Sequence, residues 1–304
     1  MNLRLVGLVG EGNANVVVAV ERAEEGSRLP GAVYVAADVD PTAAASLVPT
    51  SAGGLAGAVL RLAKVPEEQT AGRGTSTAQD TMAFHAAAVS ALLGSRFVPD
   101  AAVVRIDPEQ LRMVAETIEP WRPPCRRHRP IDTTQSTVVL MESTLAARIP
   151  RGLSAATATS ISVEIKPKWG FVPPETMGRL CRFCAHQVVK ATKASAYAFA
   201  GGNHPQTSRF CPLRLFSDDG SLVEDAVRTL IDTPQNNFRL FSNGHVVAEG
   251  HEMVALLEAH FGSVEGFATA IGPAVVDRIR VLDVDPKSIS KLPKWQELQR
   301  DINK

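Results

Sequence analysis

Two β-forming runs flank a glycine-rich turn at the start of this chain, and that pattern restricts its fold most. Leu3 to Gly10 is apolar with a glycine break, Val16 to Val20 is β-branched, and Gly10-Glu11-Gly12-Asn13-Ala14-Asn15 joins them. The spacing predicts strand, turn, strand. A Walker loop is excluded because no Gly-Lys-Ser/Thr follows, and a Rossmann fingerprint because a strand, not a helix, comes next. What remains is a hairpin. It is either a plain turn or a nucleotide clamp whose glycines let backbone N–H groups approach phosphates.

Further along, Val33 to Val39 reads as a strand and Leu55 to Leu62 as a helix within an Ala-, Gly-, Ser- and Thr-rich stretch. Gln79 to Leu93 has helical register and stops at Gly94; Val103 to Ile106 is a strand and Glu109 to Ile118 a helix. The Pro- and Arg-rich run Glu119 to Pro130 breaks regular structure, and Val138 to Met141 is a strand leading into an interlobe connection. Beyond it, a strand ends at Ile165. Ser221 with Glu224 forms a capping box for a helix running to Ile231. Phe238 to Phe241, Asn243-Gly244 and His245 to Ala248 read as a hairpin. Helices are expected over Glu252–Phe261 and Val264–Ile271, then a strand over Val281–Val284 and a terminal helix over Lys294–Ile302.

The chemistry concentrates in Val163-Glu164-Ile165-Lys166-Pro167-Lys168-Trp169-Gly170-Phe171. Residues two apart on a strand point to the same side, so Lys166 and Lys168 present their ammonium groups together. Pro167 fixes φ between them and donates no hydrogen bond, so sheet pairing stops there. Met177 to Thr192 reads as a helix with Leu180, Cys184, Val188 and Ala191 on its apolar side. Its opposite face carries Arg179, Arg182, His186, Lys190 and Lys193, with no acid among them. Two basic surfaces close in sequence suit one polyanion; the alternative is two unrelated solvated patches.

Formal net charge is zero, so these patches are local, which argues against a general nucleic-acid binder. No apolar run reaches membrane-spanning length. The four cysteines lack the paired spacing of a disulfide framework. Cys181-x-x-Cys184-x-His186 has the form of a metal half-site, with Cys125, Cys211, His204 and His128 as other candidate ligands. On a helix Cys184 and His186 point apart, so cysteines of the core are the preferred reading.

Three stretches carry a resemblance: Val163 to Phe171, Cys181-Arg182-Phe183-Cys184-Ala185-His186-Gln187, and Thr233-Pro234-Gln235-Asn236-Asn237-Phe238-Arg239-Leu240-Phe241. Together they resemble the inositol pentakisphosphate 2-kinases, which use ATP to make inositol hexakisphosphate. The Gly10–Asn15 turn and Asp283-Val284-Asp285-Pro286-Lys287 match less strongly, and in the family's order. The expected fold is α+β, two-lobed and kinase-like. A small N-terminal sheet lobe would span 1–140 and a larger α/β C-terminal lobe 141–304.

The resemblance implies ATP and Mg²⁺ as cofactors and a small polyphosphate as substrate, with no membrane partner and a cytoplasmic or nuclear location. It places Gly10, Gly12 and Asn15 over the ATP phosphates, Glu142 beside the adenine and Asp283 on Mg²⁺. It assigns Lys166, Lys168, His186, Lys190, Asn237, Arg239, Lys287 and Lys291 to the inositol phosphates, with Arg126 chosen from the basic run at Arg122, Arg126, Arg127, His128 and Arg129. That run could equally be a disordered basic loop. Two family features are absent here: an Ala-Lys-Asp-Cys-Ser-type segment before Asp283, and a basic residue on the strand at Val33 to Val39. Two alternatives stay open, a non-catalytic or truncated inositol-phosphate binder and a basic module for RNA or protein.

Overall fold

The computed structural model describes residues 1–12, 14–23, 32–37, 47–48, 57–65, 77–145, 161–166, 181–199, 207–215, 217–234, 238–247, 251–270 and 297. The expected elements at Val281–Val284 and Lys294–Ile302 lie outside this set, except for Glu297. The fold is α+β. It divides into two units, one built mainly on Met1–Ser162 and the other mainly on Val163–Ser242 and Val246–Asp277.

The first unit is a closed antiparallel barrel of β1 (Asn2–Glu11), β2 (Asn15–Arg22), β3 (Ala32–Ala37), β4 (Ala58–Ala63), β5 (Ala101–Ile106) and β6 (Thr137–Glu142). The strand order is β1-β2-β4-β6-β5-β3, and β3 returns to β1 through Leu3 opposite Val33. Alternation dictates which side faces inward. Leu3 and Leu5, Val16, Val18 and Val20, Leu60 and Leu62, and Val138 and Leu140 share one buried core. The other face of the sheet is covered as well: Val59, Val139 and Met141 meet Ala78 and Met82 of α1 (Ala78–Phe84).

β4 corrects the helix expected over Leu55–Leu62. Ala, Val and Leu serve either structure, but residues 58–63 are paired with β2 on one side and β6 on the other. Two ladders of hydrogen bonds and an inward Leu60–Leu62 pair outweigh local preference. Entry into β4 needs glycine: a Cβ on Gly57 would stand 2.9 Å from the Val20 carbonyl oxygen. The helix expected from Gln79 to Leu93 begins at the Thr77–Asp80 capping box, passes a π turn at His85–Val89, and continues as α2 (Ser90–Leu93). α3 (Pro108–Ile118) is capped by Asp107, whose Oδ1 accepts from the Glu109 amide at 2.8 Å. It lays Leu111, Val114 and Ile118 onto the barrel core.

The second unit holds most of a three-stranded sheet in the order β7 (Ile161–Ile165), β8 (Phe238–Ser242), β9 (His245–Val246). Asn243 (φ 49°) and Gly244 (φ 83°) turn the β8–β9 hairpin, because both central residues of a tight hairpin need positive φ. Its helices include α4 (Arg182–Phe199), α5 (Pro212–Leu215), α6 (Gly220–Asp232), α7 (His251–Phe261) and α8 (Val264–Ala270). Phe267 packs against Phe261 and Phe238, with ring centres 5.3 and 6.5 Å away.

The cap of α6 differs from expectation. Asp219, not Ser221, is the N-cap, and its Oδ1 accepts from the Ser221 amide at 2.9 Å and from the Ser221 hydroxyl at 2.7 Å. Asp219→Ala should therefore destabilise the protein by about 1 kcal/mol in denaturant titration, and Ser221→Ala by much less. Equal losses would return the cap to Ser221.

Candidate functional site

The glycine hairpin is held from below by a buried charge cluster. The Gly12 amide donates to the Asn15 carbonyl at 2.9 Å, closing the turn. Glu11, at the end of β1, turns its carboxylate inward. Lys64 Nζ donates to Glu11 Oε1 at 2.5 Å and to the Gly12 carbonyl at 3.3 Å. Arg122 grips the same carboxylate with two nitrogens, Nη2 to Oε1 at 2.7 Å and Nε to Oε2 at 3.1 Å. Its Nη1 donates to Glu119 at 2.7 Å, and Nη2 also reaches the carbonyls of Arg126 and Arg129. Lys64 and Arg122 are each only 2% exposed. Burial alone would raise the Glu11 carboxyl, but the hydrogen bonds from Arg122 and Lys64 outweigh it and hold the group below its usual value.

This cluster orders the basic run after α3. Arg127 donates to the carbonyls of Arg122 and Pro120 at 3.0 Å each, and Arg129 to that of Val65 at 2.8 Å. Arg122–Arg129 is thus ordered and internally bonded, and Arg122 is structural. Arg126 stays partly exposed in a short 3-10 turn (Pro124–Arg126).

Gly10 pairs with Val17 within the hairpin, just past a register shift at Leu8. Above Gly10 a side chain would meet nothing within 4 Å, and above Gly12 only the Asn15 carbonyl at 4.0 Å, so this surface is open. With its amide turned to satisfy both ends, Asn15 accepts from Arg61 Nη2 at 2.6 Å and donates to the Ala14 carbonyl at 3.2 Å. Arg61, on β4, thus brings a cation to the hairpin that β3 does not carry. Burial, then the charge of Arg61, holds the His85 imidazole below its ordinary pKa. Glu142 ends β6, where it is 3% exposed and its amide donates to the Asp100 carbonyl at 2.8 Å.

In the second unit, β7 and β8 bring two expected site residues to one acid. Glu164 lies 3.0 Å from Lys166 Nζ and 3.6 Å from Arg239 Nη1. All three are partly exposed, where such pairs contribute about 0–1 kcal/mol, so Glu164 orients the two cations without locking them.

α4 starts at Arg182 and not at Met177; Cys181 lies just before it, and 177–180 are outside the described residues. Its buried face also differs from expectation. Phe183 packs edge-on to Phe210 at 5.7 Å, and the buried Gln187 accepts from the Ser208 amide at 3.0 Å. Val188, expected in the apolar stripe, is 59% exposed. A partner segment at 207–211 selects the side that packs, and no single-helix pattern reveals that partner. Arg182, His186 and Lys190 remain one partly exposed stripe at four-residue spacing. Lys168, Arg179, Asn237, Asp283, Lys287 and Lys291 lie outside the described residues.

Three cysteines meet at the base of α4. The sulfurs of Cys181, Cys184 and Cys211 all lie within 4.8 Å of one another. Cys125 belongs to the first unit. Sequence reasoning names Cys211 as one of four candidate companions of the pair without selecting it, since it is far away along the chain, and it misses the Glu11, Lys64 and Arg122 cluster. The one available signal for the latter was charge at unusual places, in Gly-Glu-Gly and in Leu-Ala-Lys-Val.

The family model for inositol-pentakisphosphate 2-kinase matches residues 9–261, a span holding both the hairpin and the basic residues from Lys166 to Arg239. The chain is 32% identical over 202 residues to an inositol-pentakisphosphate 2-kinase of Danio rerio, covering 62% of this chain and 40% of that protein. It is 33% identical over 168 residues to one of Arabidopsis thaliana, covering 52% and 35%. This protein belongs to the inositol-pentakisphosphate 2-kinase family. The aligned part is two fifths or less of the length of these relatives. Asp283, Lys287 and Lys291 fall beyond the matched residues. No helix among the described residues is long and apolar enough to cross a membrane.

Proposed function

We propose that this chain uses Mg²⁺ and ATP to phosphorylate the 2-hydroxyl of inositol pentakisphosphate, giving inositol hexakisphosphate. The observation that carries this reading is the family match over residues 9–261. In it the two units act as the lobes of a kinase-like enzyme working in the cytoplasm or nucleus. Gly10, Gly12 and Asn15 lie along the ATP phosphates, and the open surface above both glycines fits that role. Arg61, bonded to Asn15, adds the positive charge that β3 lacks. Glu142 faces the adenine and Asp283 takes Mg²⁺. Lys166, Lys168, His186, Lys190, Asn237 and Arg239 hold the substrate phosphates, joined by Lys287, Lys291 and Arg126. ATP supplies the phosphoryl group and Mg²⁺ neutralises charge on it. The protein's part is to position both molecules and offset their negative charge.

One observation favours a second reading, a non-catalytic inositol-phosphate binder. The Ala-Lys-Asp-Cys-Ser-type segment is absent from these residues. Losing a general base typically lowers the rate by about two to four powers of ten. A phosphoryl-transfer assay with Mg²⁺, ATP and inositol pentakisphosphate separates the two. Inositol hexakisphosphate formed by the wild type and lost in Lys168→Ala is the expected result. Tight binding of the pentakisphosphate with no product would select the second reading. Absence of both activities would overturn both.

A further inference from the structure

We propose, on the reading of the glycine hairpin as a nucleotide clamp, that Lys64 is a positioning residue for phosphate binding there. Its buried ammonium group holds the Gly12 carbonyl beneath the turn and leaves a positive charge under the surface that phosphates occupy.

Lys64 directly follows β4, and both its main chain and its side chain are committed to the turn. Its amide donates to the Ala14 carbonyl at 2.9 Å, and its Nζ donates to the Gly12 carbonyl at 3.3 Å. A bridge to Ile131 fixes the lysine backbone from its other side. A phosphate clamp needs backbone N–H groups on its ligand side, because a carbonyl oxygen there repels the anion. The Lys64 side chain is 1% exposed, so the Gly12 oxygen that it holds is turned toward the protein and away from the open surface. Arg122 cannot take over this hold. Its donors are taken by Glu11, Glu119 and the carbonyls of Arg126 and Arg129.

Charge is also unbalanced at this place. Lys64 and Arg122 both lie against Glu11 Oε1, and all three side chains are buried. The other acid on Arg122 is Glu119, half-exposed, so water screens much of its charge. Among the described residues, two buried cations thus meet one buried carboxylate beneath the turn. Charges interact more strongly through protein than through water. An excess buried cation is also unfavourable by itself, and an anion bound above the turn offsets it.

The test compares ATP with adenosine on the full chain, wild type against Lys64→Met, by titration calorimetry for ATP and ligand-observed NMR for adenosine. Glu11 keeps its two-nitrogen grip from Arg122 in this variant, so no buried charge is stranded. ATP affinity should fall about tenfold or more, while adenosine affinity changes less than about twofold. Lys64→Arg, which keeps the charge and the donors, should recover most of the loss. Equal losses for the two ligands would mean general loosening and overturn the proposal. Unchanged ATP affinity overturns it too, and leaves the nucleotide reading standing. A wild type that binds no ATP overturns the nucleotide reading, and the role of Lys64 with it. Should Lys64→Met fail to fold, the ¹⁵N signal of the Lys64 ammonium in the wild type decides. It should shift on saturation with ATP and not with adenosine; no shift with ATP overturns the proposal.

Discussion

Glu11→Ala lowers the stability of the full chain by about 3–5 kcal/mol, the range for breaking a buried ion pair by removing one partner. The reason is what stays behind. Lys64 and Arg122, each 2% exposed, would face each other with no carboxylate between them. Urea unfolding followed by circular dichroism measures the loss. A value below about 1 kcal/mol would mean the cluster behaves as a solvated surface pair. The sign with pH follows from the lowered Glu11 pKa. Its stabilisation is complete above the unfolded carboxyl value and disappears as pH falls through the lower folded value. The wild type should therefore lose stability across that acidic window, and Glu11→Ala should lose less there. Replacing all three charged groups by apolar residues of similar size should recover much of the loss, because no buried unpaired charge then remains; Glu119, which loses Arg122, is half-exposed.

Lys166→Ala combined with Lys190→Ala weakens binding of inositol pentakisphosphate by a hundredfold or more. Lys166 directly follows β7 and Lys190 lies within α4, and both are partly exposed. Charge-assisted hydrogen bonds contribute about 1.5–3 kcal/mol each, so two together are about 3–6 kcal/mol, and every 1.4 kcal/mol is tenfold. Isothermal titration calorimetry without ATP reads the affinity directly. A change below about threefold would remove both lysines from the substrate site. Thermal stability should stay near wild type, since Lys166 has only its partly exposed pair with Glu164 among the contacts described.

The parts of this fold legible in the sequence are those set by local rules. The glycine hairpin, the Asn243–Gly244 turn and the helix closed by Gly94 each depend on residues within one or two turns of chain. β4 was misread because its reason lies elsewhere, in β2 and β6 on either side of it. The buried face of α4 was misread for the same reason, since Phe210 and Ser208 select it. In the candidate site, Lys166 and Arg239 were recognisable as cations, but their sharing of Glu164 follows from strand pairing. The partners of Glu11 stand 53 and 111 residues away, and no spacing rule spans such distances.

Closure of the barrel also has a consequence for how the chain is made. β4 needs β6 on one edge, and β5 needs it too, so synthesis must reach Glu142 before either is satisfied. Until then a ribosome-bound chain presents open strand edges lined with Val and Leu, the kind of surface that recruits other strands. Contacts so distant along the chain also form slowly. Between completing β5 and completing β6 the nascent barrel therefore still has two open edges, on β4 and on β5.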